Sequence, residues 1–198
     1  MTVSDLAQSA GILARLRAET RAAHFAIEQT LPLTDEALTL ERYTQRLKQF
    51  YVFYQPVEAQ LLQGSDTLAE WLNVQERCKT QFLRGDLNAL GYTSAGSLPL
   101  CRKLPVLASA AERFGCMYVL EGSTMGGQLI TRHIRDRLGI RAESGGRFFN
   151  AYGDRTGAMW HQFKAAITAF AAESDEHELI INSAQATFET LRHWCEEQ

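Results

Sequence analysis

The residues from Ser109 to Arg137, SAAERFGCMYVLEGSTMGGQLITRHIRDR, constrain this chain more than any other stretch. Ser109 followed three residues on by Glu112 is capping-box spacing, which satisfies two orphan amide donors at a helix start. Arg135 and Arg137, with Gly139 just beyond, read as a helix end. Phe114, Met117, Tyr118, Leu120, Leu129 and Ile130 supply apolar positions between them. The centre nevertheless holds Gly122, Gly126 and Gly127, with Gly115 a little earlier. Each interior glycine costs about 1 kcal/mol relative to alanine. Three together cost roughly 3 kcal/mol, against a typical folding stability of about 5–15 kcal/mol. Something must offset that loss. One answer is close packing of a neighbouring helix against a bare face. Another is a flat ligand lying on a bent, side-chain-free backbone, since Gly122 and Gly126 share one face. A phosphate-binding loop fits poorly, because no strand pattern precedes the glycines.

The rest of the chain reads as all-α, one domain over residues 1–198. Strand-like alternation is scarce and only four prolines are present. The pattern predicts a first helix from Ser4 to Gln29, with Leu13, Leu16, Thr20, Ala23 and Ile27 on its inner stripe. A second runs from Thr39 to Gln63, through Pro56, and stops at Gly64. Its aromatic cluster, Phe50, Tyr51, Phe53 and Tyr54, reads as core. Helical pieces follow from Asp66 to Leu90, stopped at Gly91, and Tyr92 to Pro105 reads as loop. After the central helix, Ile140 to Asp154 is an irregular, partly buried connection. Thr156 is predicted to cap a helix through Phe170, with Trp160, Phe163 and Ile167 inward. A last helix spans Asp175 to Glu197, with Leu179, Phe188, Leu191 and Trp194 apolar.

A net charge of −3 argues against nucleic-acid binding. No apolar run is long enough for a membrane span, and the N-terminus has no signal-peptide pattern. Cys78, Cys101, Cys116 and Cys195 form no C-x-x-C pair, which suits reduced thiols and a cytoplasmic location.

The chemistry on the first helix centres on His24. Glu28 lies one turn on, placed to accept a proton from one ring nitrogen and leave the other for a metal. Arg17 and Arg21 precede His24 on the same ribbon. Taken alone, this reads as a solvated charged face with a casual histidine. Taken with the bare helix, it describes a ligand that is flat, metal-containing and anionic at one edge. Haem b fits: iron for His24, propionates for Arg17 and Arg21, a planar face for the glycines.

The stretch LRAETRAAHFAIEQ, Leu16 to Gln29, resembles the proximal helix of haem oxygenases, and LEGSTMGGQLI, Leu120 to Ile130, their kinked distal helix. DLNALG, Asp86 to Gly91, and FFNAYG, Phe148 to Gly153, resemble parts of bacterial members that make biliverdin, often for a phytochrome. The resemblance implies a helical bundle with haem between the two helices. It implies His24 as axial ligand, Glu28 as the carboxylate that hydrogen-bonds and orients its ring, and Arg17 and Arg21 at propionates. It implies Gly122, Gly126 and Gly127 as distal glycines, Tyr118 beside the haem, and Phe188 lining the pocket. Ser123 stands where mammalian members carry a distal aspartate and would pass protons with ordered water. Met117 stands where they carry a distal tyrosine, and His161, with Lys164 a turn on, at a basic propionate position.

By the same resemblance, haem is substrate and cofactor together, opened at a meso carbon to biliverdin, CO and Fe2+ with O2. Gly122, Ser123 and Gly126 form the catalytic distal surface. No flavin or nicotinamide motif is present, so electrons come from a ferredoxin, a flavodoxin or an NAD(P)H-dependent reductase. Arg132, Arg135, Arg137, Arg141, Arg147 and Arg155 offer it a basic surface. A bacteriophytochrome is the implied recipient of biliverdin. Three rivals remain: a haem carrier or sensor, a thiaminase-like enzyme using Cys116 beside Glu112 and Glu121, and a helical interaction module.

Overall fold

The computed structural model describes residues 11–196, and every described regular element is helical. The first helix is two: α1, Ile12–Glu19, and α2, Arg21–Thr30. The Thr20 hydroxyl donates to the Leu16 carbonyl at 2.7 Å, which competes with the backbone ladder at that turn. The predicted start at Ser4 lies outside the described residues.

Helix α3, Leu40–Gln63, has the bounds its sequence indicates, with Thr39 accepting from the Arg42 amide at 3.2 Å. Of the pieces that follow, only Thr80–Ala89 is α-helical (α4); Ser65–Thr67 and Gln75–Arg77 are single 3-10 turns. Gly91 ends that region with φ +83°, a left-handed turn that favours glycine.

Helix α5, Ala110–Leu138, runs 29 residues without interruption through all its glycines. Both bonds of the Ser109–Glu112 capping box form, and Gly139 closes the helix in the left-handed conformation. The irregular connection contains a short helix α6, Arg147–Asn150, with Phe148 and Phe149 buried. Helix α7 is Thr156–Glu173. Thr156 is its first residue rather than its cap, because its hydroxyl donates back to the Gly153 carbonyl at 2.7 Å. Phe163 and Ile167 point inward as expected, and Trp160 is half-buried. Helix α8, His177–Glu196, starts two residues later than predicted. Leu179 is 43% exposed rather than part of its apolar face.

Helix α8 is the wall on which the molecule is assembled. It packs along α5 and also holds α2. Gly115 makes the first contact possible, since a Cβ there would collide with the Ile180 carbonyl oxygen of α8. Ser183 locks it by donating to the Glu112 carbonyl at 2.6 Å.

The DLNALG and FFNAYG segments meet through Asp86. Its carboxylate accepts the Arg147 and Phe148 amides at 2.8 and 2.7 Å, capping α6. Burial pushes the Asp86 carboxyl up to about 6, with the Phe148 and Arg147 amides pulling the other way. A carboxyl whose pKa is raised on folding favours the native state most below the unfolded value, near pH 4. That contribution is lost as pH rises through about 6. Relative to an Asp86→Asn variant, which cannot titrate there, the wild type should lose roughly 2.5 kcal/mol of stability between pH 4 and pH 7. Urea denaturation of both proteins across that range checks it, and a flat difference would contradict the shift.

Candidate active site

Two faces look across a cleft with α8 as its floor. The first belongs to α1 and α2. Arg17, Arg21, His24 and Glu28 lie on one side of it, all exposed. The His24 side chain is 56% exposed although its ring meets Phe188 of α8 edge-on, centroids 5.6 Å apart and planes at 83°. That T-shaped contact holds the imidazole upright while leaving its free edge outward. Neither Arg17 nor Arg21 forms an ion pair or a side-chain hydrogen bond with another described residue. Arg15, on the same helix, is paired with Glu19 at 2.9 Å and Glu178 at 2.6 Å. Two guanidinium groups beside an exposed imidazole are therefore left for an outside anion.

Glu28 does not make the expected hydrogen bond. Its carboxylate lies 3.8 Å from His24 Nε2, beyond hydrogen-bond range. Both side chains are more than half exposed, and a solvated pair one turn apart has little to hold it together.

The second face belongs to α5. Tyr118, Gly122, Gly126 and His133 recur at helical spacing, with Met125 and Leu129 beside them. Met125 is 45% and Leu129 62% exposed, so Leu129 is not the core residue its sequence position suggests. The four glycines divide by what lies opposite. Gly127 faces inward, where a Cβ would collide with the Phe149 carbonyl. At Gly126 a Cβ would meet nothing within 4 Å, and at Gly122 only Trp160, 3.8 Å away. Thus Gly115 and Gly127 serve packing, whereas Gly122 and Gly126 keep an open face bare.

The two faces are joined at both ends. Tyr118 interacts with the Thr20 hydroxyl near Arg17, at the break between α1 and α2. His133 Nε2 lies 2.9 Å from the Asp35 carbonyl, in the segment after α2. Fifteen residues of helix separate Tyr118 from His133, about 22 Å. Between these ties His24 stands on one side and Gly122 and Gly126 on the other.

Ser123 sits at the edge of the bare face. Its hydroxyl donates to the Leu120 carbonyl at 2.8 Å and lies 3.3 Å from the Tyr54 hydroxyl. With the serine proton already committed, Tyr54 is the donor to Ser123. Burial raises the Tyr54 pKa far above neutrality, so the phenol keeps its proton. Met117 is buried, His161 is exposed and Lys164 is half-buried.

Several cleft residues carry no chemical signal in the sequence: Phe25, 62% exposed beside His24, and Thr20, Tyr54, Met125 and His133. Exposed apolar side chains on facing helices are the cue that places Phe25, Met125 and Leu129. A separate cavity of about 420 Å3, lined in part by Asp35, Leu38, Arg42, Arg46 and Cys195, contains neither His24 nor the bare glycines. The imidazole and the two arginines lie on one face and the bare backbone on the other, the faces tied through Tyr118 and His133. Cys116 is buried and its thiol is pushed up to about 12 by burial, which removes it as a nucleophile.

Residues 10–197 match the family model described as heme oxygenase. The chain belongs to the haem oxygenase family. It is 32% identical over 142 residues to the heme oxygenase of Xanthomonas campestris pv. campestris strain 8004, covering 68% of this chain and 81% of that protein. Its fold is similar to that of Neisseria meningitidis heme oxygenase, solved with NO and CO bound. The TM-score is 0.81 at 22% identity, over 96% of this chain and 92% of that one. The Leptospira interrogans heme oxygenase gives a TM-score of 0.73 at 16% identity, over 96% and 100% of the two chains. Heme oxygenase 2 of Chlamydomonas reinhardtii, solved without heme, gives 0.65 at 15% identity, over 94% and 97%. This haem oxygenase is a haem-degrading oxidoreductase with haem as its substrate. No helix among its described residues is long and apolar enough to cross a membrane.

Proposed function

We propose that haem b lies in the cleft with its iron on His24 and one face against the backbone of Gly122 and Gly126. The observation that carries this is the pairing of an exposed, Phe188-braced imidazole with a helix face where a Cβ would meet nothing at Gly126 and only Trp160, 3.8 Å away, at Gly122. The donor set agrees. Among the described residues no group of three His, Cys, Asp or Glu could hold a metal ion. A lone imidazole suits a metal that brings its own ring of ligands.

Bound haem supplies the iron that takes up O2 and the ring that is opened to biliverdin, CO and Fe2+. The chain's own residues set the geometry. His24 binds as the neutral imidazole, with Glu28 a turn away to orient it once the cleft is filled. Arg17 and Arg21 anchor the propionates, and Tyr118 and Phe188 border the ring. Gly122 and Gly126 thin the distal helix on its open face and would leave room there for the ring and for O2, while Gly127, packed against Phe149, would let that helix sit close to the core behind it. Ser123, whose hydroxyl oxygen lies 3.3 Å from that of Tyr54, is placed to pass protons with water.

Residues 1–198 act as one domain in the cytoplasm on this reading. Arg132, Arg135, Arg137, Arg141, Arg147 and Arg155 are all exposed and form a docking surface for an acidic ferredoxin, a flavodoxin or an NAD(P)H-dependent reductase. Biliverdin passes to a bacteriophytochrome.

Hemin added to the protein, then a reductant in air, tests the proposal. The haem absorption should fall while a bile-pigment band grows. A hemin complex that survives reductant and air would make the protein a carrier or sensor instead. The double substitution Arg17→Gln, Arg21→Gln should weaken hemin binding roughly tenfold at low salt, from two exposed charge contacts of about 0.5–1 kcal/mol each. The loss should shrink as salt screens the pair. Titrations at two ionic strengths measure it, and unchanged affinity would remove both arginines from the site.

A further inference from the structure

Directly before the bare glycines, Glu121 of α5 is buried with two cations. Its carboxylate accepts Arg77 at 2.5 Å, Lys79 Nζ at 2.7 Å and the Tyr152 hydroxyl at 2.7 Å. The side chains of Glu121, Arg77 and Lys79 are 1%, 5% and 2% exposed. Arg77 also donates to the Met159 carbonyl, and Lys79 to the Arg77 carbonyl. The segment bearing the cations is pinned in turn. Glu58 of α3 accepts the Lys79 amide at 2.7 Å and the Thr80 amide and hydroxyl at 3.0 and 2.6 Å. Two buried cations thus share the one carboxylate of Glu121, and a second, Glu58, holds the backbone that bears Lys79.

A buried ionic cluster is poor at stabilising a fold, since apolar side chains of equal volume commonly do as well or better. What it supplies is directional fixing. Glu121 ties α5 to the turn before α4 and to the segment before α7. Seen down the helix, its side chain is about 100° from Gly122. The neighbouring contacts act likewise: Ser123 meets Tyr54 of α3, and Gly127 rests on the Phe149 carbonyl. The glycine segment is therefore clamped from behind and beside, while its open face is left bare.

We infer that Glu121 is a positioning residue that sets the rotation and height of the bare backbone, and with them which meso edge of the substrate ring is left open to attack. This rests on the placement of haem in the cleft. Tyr152 acts in the same direction through a single hydrogen bond. Its ring also lies 5.1 Å from Lys79 Nζ.

Three variants test it: Glu121→Gln, the charge-balanced pair Lys79→Met with Glu121→Gln, and Tyr152→Phe. The readouts are the biliverdin isomer ratio by chromatography and the visible spectrum of the hemin complex. Glu121→Gln alone strands a buried cation and is expected to lose stability; the pair restores the charge balance and should fold. In the folded pair the isomer ratio should move about tenfold from wild type, a barrier difference of about 1.4 kcal/mol, with an altered spectrum. Tyr152→Phe should move it the same way by less. A folded pair with the wild-type ratio and spectrum would make Glu121 purely structural and overturn the inference. Should neither Glu121 variant fold, an unchanged ratio in Tyr152→Phe overturns it equally. Wild-type protein that makes no pigment would instead defeat the haem placement, a different failure.

Discussion

His24→Ala should lower haem turnover by about 100-fold or more, a barrier change of at least ~2.7 kcal/mol, while the protein stays folded. The two halves of that result separate because His24 is more than half exposed and touches the core only through the edge of Phe188. Exposed substitutions in a helix usually change stability by no more than about 0.5 kcal/mol. A fall in turnover therefore cannot be blamed on unfolding. Added imidazole should recover part of the activity by entering the space the side chain leaves. His133→Ala is the control: it breaks the tie to the Asp35 carbonyl but should leave pigment formation largely intact. Turnover followed by pigment absorbance, with thermal denaturation alongside, decides it. Wild-type turnover in His24→Ala would remove the ligand assignment.

The second large effect lies in two adjacent glycines that should respond in opposite ways. Gly126→Ala should stabilise the apoprotein by about 0.5–1 kcal/mol, because alanine favours the helix and its Cβ meets nothing. Gly127→Ala should cost about 1–3 kcal/mol, because its Cβ would collide with the Phe149 carbonyl and backbone must shift. In a chain of this length 1 kcal/mol moves the midpoint by about 2–4 °C, so thermal melts resolve the two signs. Activity should run the other way at Gly126. A bulky side chain there, Gly126→Leu, should abolish O2 binding or haem entry while the apoprotein melts no lower than wild type. A glycine kept at a cost to stability, where nothing packs, is then explained by what must lie against it. Normal turnover in Gly126→Leu would show that the bare face has no such occupant.

Much of this was legible because its causes are local. Ser109, Glu112 and Gly139 bound α5 by bonds made within a few residues, so its limits could be read directly. Thr39 and Gly64 do the same for α3. The break at Thr20 was not legible, since that hydroxyl serves Leu16 locally and Tyr118, 98 residues away in sequence, across the cleft. The glycine cluster announced that something unusual lies on α5. It could not say which glycine packs and which stays bare, because that depends on Ile180 and Phe149 arriving opposite two of them.

The site was readable in the same uneven way. His24, Arg17 and Arg21 share a ribbon by helical spacing alone. Phe188 meets His24 only because α8 holds α2. Glu121 looked like an unremarked neighbour of Cys116; its partners Arg77, Lys79 and Tyr152 come from two other segments. Tyr54 looked like core and is core, yet its hydroxyl reaches Ser123. Apolar character hid Leu129 and Met125, whose exposure is evident only once the opposite face is in place.

The most direct measurement is a crystal structure of the hemin complex. The account predicts iron bonded to an imidazole nitrogen of His24, propionates within reach of Arg17 and Arg21, and the opposite face of the ring against the Gly122 and Gly126 backbone. Iron on another histidine, or on His24 with Met125 as a second ligand, would contradict it.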